Sequence, residues 1–136
     1  MASNKALALD TNCLLRWLLR DNVAQADVVE QHLASSKSRL HVADLVFAEA
    51  VWVLRSYYEF DDVMVEALMR KVVEHDKINC NRALFTQVLE HMNSRPKVSF
   101  VDTCLAVYAG LADARLLTFD QTLARKFPRQ TYLAGK

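Results

Sequence analysis

Glycine is nearly absent from this chain. Gly110 and Gly135 are the only two in 136 residues, and proline is as rare, at Pro96 and Pro128. Turns with positive φ and close backbone approach to a ligand both favour glycine, so a chain this poor in it is directed toward long helices and plain connections. Two ligand classes drop out at once: a dinucleotide fingerprint needs three closely spaced glycines and a phosphate-binding P-loop needs two. At 136 residues the chain has the length of one domain and can bury about two-thirds of its unfolded surface, enough to fold without disulfides or a structural metal. We therefore expect a single domain over residues 1–136. Its 52% hydrophobic and 24% charged content fits a packed core and excludes a disordered or low-complexity chain.

Lys and Arg number 17 against 16 Asp and Glu, a net charge of +1. Bulk charge therefore supplies no general basic footprint, and any phosphate recognition must be local. Cys13, Cys80 and Cys104 are an odd number, far apart and set among apolar residues, which suits buried thiols in a reducing cytosol better than a disulfide framework. The N-terminal MASNKALALD has too short an apolar run for a signal peptide, and no stretch reaches the length of a membrane span. A cytoplasmic protein with no membrane partner is expected.

Periodicity predicts short strands alternating with helices. Lys5 to Leu9 reads as a buried strand ending at Asp10, followed by a helix over Asn12 to Arg20 and another over Val23 to Ser35 with Val28, Val29 and Leu33 as its apolar side. After the polar break Ser35-Ser36-Lys37-Ser38, Arg39 to Val42 is a second strand. Asp44 to Tyr57 and Asp61 to His75 are long helices, each opened by a capping Asp and joined by a turn around Glu59. Lys77 to Cys80 is a short strand, and Arg82 to Met92 is a helix ending before Arg95-Pro96. Val98 to Val101 leads into a helix over Asp102 to Ala112. Arg115 to Thr118, Gln121 to Lys126 and Gln130 to Leu133 read as strand, helix and edge strand. Such alternation implies an α/β fold of three layers, α/β/α, with a short parallel sheet and helices on both faces. Ligands then sit beyond the carboxyl ends of the strands.

Four carboxylates stand in apolar company. Asp10 ends the first predicted strand in LALDTN, and Asp120 ends a later one in LLTFDQTL. Each is a good helix N-cap, which is the plain structural reading. If the two strands are parallel neighbours, both carboxylates also face one crevice. Glu49, in DLVFAEAVWVLR, is flanked at helical spacing by Leu45, Val46, Trp52 and Val53, a stripe that reads as core-facing. An ionised carboxylate there is costly unless it is Arg-paired, coordinated or at the rim of a polar pocket. Asp102, in PKVSFVDTCLAVYA, follows Ser99 at capping-box spacing. Each acid has a structural explanation taken singly. Together, acids at strand ends and inward helix faces point to a hard-metal site, where one or two divalent cations offset their repulsion and all-oxygen ligation selects Mg²⁺ or Mn²⁺ over zinc. His32, His41, His75 and His91 form no zinc-type pair and read as surface or helix-end residues.

LALDTNCLLRWL, AEAVWVL, SFVDTCLAVYA and LLTFDQTLAR, in this order over nearly the whole chain, resemble the four acidic motifs of PIN-domain ribonucleases, especially the VapC-type toxins of toxin–antitoxin pairs. The resemblance implies that Asp10, Glu49, Asp102 and Asp120 are the catalytic, metal-holding quartet, with Asp10 and Asp102 the firmest ligands and Thr118 the small hydroxyl residue before the last acid. It implies Mg²⁺- or Mn²⁺-dependent hydrolysis of RNA phosphodiester bonds, the metal lowering the pKa of a bound water and steadying charge on the phosphate. It also implies a homodimer and an antitoxin protein that holds the enzyme inactive. The sequence departs from many relatives at Val98 and Ser99, where those carry another acid.

The helix after Asp10 adds a surface. Cys13, Leu14, Leu15, Trp17, Leu18 and Leu19 cover an arc of about 240°, leaving Asn12, Arg16 and Arg20 as a narrow polar strip. Arg16 and Arg20 are candidate phosphate contacts, because Arg pairs well with phosphate, and a merely solvated face is the competing reading. The arc exceeds what a core stripe requires, so part of it is expected to meet another chain. Cys13 and Cys104 lack a neighbouring base and read as packing, not as nucleophiles. A receiver-type phosphoacceptor domain shares the size and layers but wants paired acids after the first strand, where this chain has Asp10-Thr11-Asn12. A haloacid dehalogenase-type phosphatase wants Asp-x-Asp at the same place. A non-catalytic PIN-like binding module is the other alternative, and the complete quartet argues against it.

Overall fold

The computed structural model describes residues 6–35, 37, 39–94 and 98–135. These form an α/β fold of seven helices and four short strands, all parallel, in two compact units, Met1–Asn81 and Arg82–Lys136.

In the first unit, α1 (Thr11–Leu19) and α2 (Val23–Ser35) precede β1 (Leu40–His41), and α3 (Asp44–Ser56) and α4 (Asp62–Glu74) precede β2 (Ile78–Asn79). β1 pairs with β2 in parallel, Leu40 opposite Ile78. A parallel pair needs a long crossover, which α3 and α4 supply. The helices bury one face each: Leu14, Leu15 and Leu18 on α1, Phe47, Ala50, Val51 and Leu54 on α3, and Val65, Leu68, Met69 and Val72 on α4. The last two sets follow the i, i+3, i+4, i+7 spacing of an amphipathic helix, and each fully buried side chain of this kind contributes roughly 1.5–3 kcal/mol.

In the second unit, α5 (Arg82–Ser94) packs against α6 (Phe100–Leu111), and Phe85 stacks on Phe100 with ring centroids 6.3 Å apart. β3 (Leu116–Thr118) and β4 (Thr131–Leu133) pair in parallel across the short α7 (Gln121–Lys126). Val98, Ala106, Leu123 and Phe127 form a core cluster against which Leu116 packs. Inside it, the buried Thr131 hydroxyl donates to the Phe127 carbonyl at 2.6 Å, which satisfies its polar group.

Side chains define several helix starts. Asp10, Asp61, Ser99 and Asp120 are N-caps whose oxygens accept first-turn amides of α1, α4, α6 and α7. Among the described residues three other than glycine adopt the left-handed conformation: Arg20 (φ 53°), Glu59 (φ 56°) and Asp113 (φ 54°).

Several expectations are corrected. The run before Asp10 is not a buried strand: Ala8 makes one parallel bridge to His41, and Leu7 is 46% exposed; Lys5, its expected start, lies outside the described residues. The expected short parallel strands are present: among the described residues β1 pairs with β2, with Ala8 bridging to His41, and β3 pairs with β4, all in parallel. Asp44 sits in the first turn of α3, and Ala43 is the cap residue, with no side-chain bond. The helix carrying Asp102 starts two residues early, at Phe100. Ala26, not Val28, joins Val29 and Leu33 on the buried side of α2. Cys13 is exposed and Cys80 and Cys104 are half-buried, so none is a core thiol. Ser36, Ser38 and Arg95-Pro96, expected as breaks, lie outside the described residues.

Candidate functional site

Asp10 caps α1. Its Oδ1 accepts the Cys13 backbone N–H at 2.8 Å. That bond, with a second from the Cys13 side chain, holds the Asp10 carboxyl below its ordinary pKa, so it is ionised at neutral pH. The Cys13 thiol moves the opposite way: partial loss of solvent and then its contact with Asp10 push it up, which keeps it protonated and a poor nucleophile. The thiol's hydrogen bond to Asp10 has no sequence signal beyond the three-residue spacing.

Glu49 shares a cleft with Asp10. The cleft is lined by Asp10, Thr11, Asn12, Leu15, Val46, Glu49 and Val53. The expected core-facing stripe on α3 is wrong in its direction: Leu45 is 84% and Trp52 65% exposed, and Glu49 itself is exposed. Phe47, Ala50, Val51 and Leu54 take the core instead. α3 is apolar on nearly every side, so hydrophobicity alone does not choose its buried face. Glu49 reaches solvent at the cleft, where a carboxylate has no desolvation to offset, and it makes no ion pair or hydrogen bond among the described residues, which removes the Arg-paired reading.

Asp102 and Asp120 stand in the second unit. Ser99 Oγ accepts the Asp102 N–H at 3.1 Å, but the reciprocal bond of a capping box is absent among the described residues, so the half-buried Asp102 carboxylate is not engaged in capping. Asp120 caps α7, its Oδ1 accepting the Leu123 N–H at 3.0 Å. Thr118 Oγ1 accepts the Asp120 N–H at 3.0 Å, so this hydroxyl fixes the backbone that carries the acid. Val98 is buried and Ser99 is a cap, so the departure from the family's acidic pattern is occupied by structural residues.

The polar strip on α1 is already partnered. Arg16 Nη1 donates to both carboxylate oxygens of Asp21, at 2.9 and 3.0 Å, and Tyr58 and Asp21 together hold its guanidinium pKa above the ordinary value. Arg20 pairs with Asp27 at 2.6 Å. Asn12 is exposed and borders the Asp10 cleft. The arc opposite is largely used within the unit, with Leu14, Leu15 and Leu18 buried and Trp17 Nε1 donating to Glu30 at 2.6 Å.

Carboxylate oxygens are the donors a hard divalent cation takes. Among the described residues the Glu49 and Asp102 carboxylates accept no hydrogen bond, Asp120 gives one oxygen to a helix amide, and Asp10 accepts from the Cys13 amide and side chain; each retains acceptor capacity. Among the described residues, no three His, Cys, Asp or Glu side chains group closely enough to hold a metal ion. No helix among them is long and apolar enough to cross a membrane.

No curated protein matches the sequence. The family model described as the PIN domain matches residues 7–127, a span that takes in both units and all four acids. With most of its length under that match, the chain belongs to the PIN domain family, generally a nuclease fold.

Proposed function

We propose that this protein is a Mg²⁺- or Mn²⁺-dependent ribonuclease that hydrolyses RNA phosphodiester bonds in the cytoplasm as the toxin of a toxin–antitoxin pair. The observation that carries this reading is the PIN domain match over residues 7–127, which contains Asp10, Glu49, Asp102 and Asp120. These four acids are the proposed metal-holding and catalytic residues. Asp10, Glu49, Asp102 and Asp120 would hold a divalent ion, whose chemistry would be to lower the pKa of water and offset charge on the phosphate. The chain's own part is to keep Asp10 ionised and its acids available. Asp10 is held ionised by the Cys13 bonds, and Glu49 meets solvent in the cleft. Thr118 fixes the approach to Asp120. Thr118, Asn12, Arg16 and Arg20 are the proposed substrate contacts, the two Arg side chains exchanging their Asp partners for phosphate. The proposed protein partners are an antitoxin and a second copy of the chain. Leu45 and Trp52 on α3, and Val101 and Tyr108 on α6, are large exposed side chains that such partners would cover.

Purified protein should cleave single-stranded RNA with Mg²⁺ or Mn²⁺ and stop on addition of EDTA. Equal cleavage in EDTA would overturn the metal dependence. RNA binding with no cleavage under either ion would favour the non-catalytic PIN-like binding module.

A further inference from the structure

A second cleft in the first unit opens where β1 and β2 end. It holds about 370 Å³ and is lined by Ala8, His41, Val42, Ala43, Asn79, Cys80 and Asn81, a size within the small-ligand range of roughly 300–1,000 Å³. The carboxyl ends of parallel strands are where α/β folds bind ligands. His41 closes β1 and Asn79 closes β2, residues that are register partners. The Asn79 amide lies 3.0 Å from His41 Nδ1. With Asn79 Nδ2 donating, the neutral ring carries its proton on Nε2, and one N–H of the amide is committed. Among the described residues Asn79 makes no other side-chain hydrogen bond, so its oxygen and its second N–H remain, an acceptor and a donor on one planar group that is exposed in the cleft. Against the N7-bearing edge of a purine that pair selects adenine: the Asn amide accepts from N6 and donates to N7, whereas guanine places an acceptor, O6, against the amide oxygen.

The cleft also lies within reach of Asp10 and Glu49. Ala8 lines it and Asp10 is two residues further on, a separation of at most about 7 Å along an extended chain. α3 borders both clefts, through Ala43 in this one and Val46 and Glu49 in the other. Proteins that read RNA by sequence do so mostly on unstacked bases of single strands, presented one at a time to such edges. We propose that this cleft is a nucleobase subsite in which Asn79, positioned by His41, reads the N6 and N7 edge of an unstacked adenine in the RNA strand passing Asp10. The inference rests on the ribonuclease reading above and adds base selectivity to it.

The test is equilibrium binding in EDTA, where metal-dependent cleavage is off, using fluorescein-labelled oligouridine with a central uridine, adenosine, guanosine or cytidine. Wild type should prefer the adenosine host by about 5- to 150-fold, the discrimination of one bidentate contact. Central 7-deazaadenosine or unsubstituted purine riboside, each lacking one half of the edge, should lose that preference. Asn79→Ala and the near-isosteric Asn79→Asp should bind all four hosts with ratios close to one, and His41→Ala should narrow them. If Asn79→Ala fails to fold, the deaza and purine substrates on wild type still decide. Equal affinity of wild type for all hosts, no binding to any, or an adenosine preference retained in the folded Asn79 variants would overturn the subsite. Base preference without Mg²⁺-dependent cleavage would leave the subsite standing and sink catalysis. Cleavage without base preference would do the reverse.

Discussion

Asp10 at the start of α1 and Asp102 in the first turn of α6 are both acids at helix N-termini, yet only Asp10 holds its helix with its own carboxylate. At α6 the cap is Ser99, and Asp102 contributes only its backbone N–H. Asp120 repeats the first arrangement at α7, and Glu49, in the middle of α3, resembles the second in carrying no internal bond. Capping and ligand binding draw on the same lone pairs. An acid that caps is needed twice, while an acid relieved of capping by a serine is free for chemistry alone.

Substitutions can break that comparison. The largest expected effect is on turnover: Asp10→Asn and Asp102→Asn should each lower RNA cleavage by roughly 10²-fold or more, since both remove a charged group from the proposed electrostatic machinery. Near-wild-type turnover in either would strike that residue from the site. Truncation then separates the two acids. Asp10→Ala should lose about 1 kcal/mol of stability in chemical denaturation, because the cap is gone, while Asp10→Asn keeps it. Asp102→Ala and Glu49→Gln should stay within about 0.5 kcal/mol of wild type, and Ser99→Ala should lose about 1 kcal/mol with the Asp102 carboxylate intact. A stability loss of several kcal/mol in Glu49→Gln would mean a structural partner for Glu49. The smallest effect is in acid. Because the folded-state pKa of Asp10 is depressed, its contribution is complete above the ordinary carboxylate value and is lost as pH falls through the lower folded value. Melting temperature followed into that range should fall less steeply for Asp10→Asn than for wild type.

The order of elements was legible because caps and breaks are local chemistry. Val23–Ser35 and Gln121–Lys126 are helices with the bounds that their flanking residues predict. The roles of Asp10 and Asp120 as caps were readable from the same signals. Facing was not. Leu45, Val46, Trp52 and Val53 on α3 are as apolar as Phe47, Ala50, Val51 and Leu54, and only packing against other elements decides which set is buried. The run before Asp10 misled for a related reason, since apolar residues beside a short strand need not be covered when one bridge is all the pairing they make. The partners of Arg16 and Arg20 lay five and seven residues away, at Asp21 and Asp27, but crossed the break between two helices, where helical spacing gives no guide. In Asn79 and Asn81, two amides around the end of a predicted strand were a signal, though nothing local linked Asn79 to His41.

The left-handed turns bear on how much change this protein can absorb. Asp113 sits just past α6 with φ 54°, where its N–H and that of Ala114 close the helix end onto the carbonyls of Gly110 and Ala109. Glycine is the usual residue there, because a side chain in that conformation costs roughly 1–2 kcal/mol. Gly110, by contrast, lies within α6, and a methyl group added to it would meet only Gln130 Cγ at 3.6 Å, an ordinary contact. Alanine in a helix is favoured over glycine by about 1 kcal/mol. Asp113→Gly and Gly110→Ala should therefore each raise the melting temperature without touching the four acids. Exchanging where glycine stands would widen the tolerance of the whole sequence to damaging mutations, a margin that a single end of one helix controls.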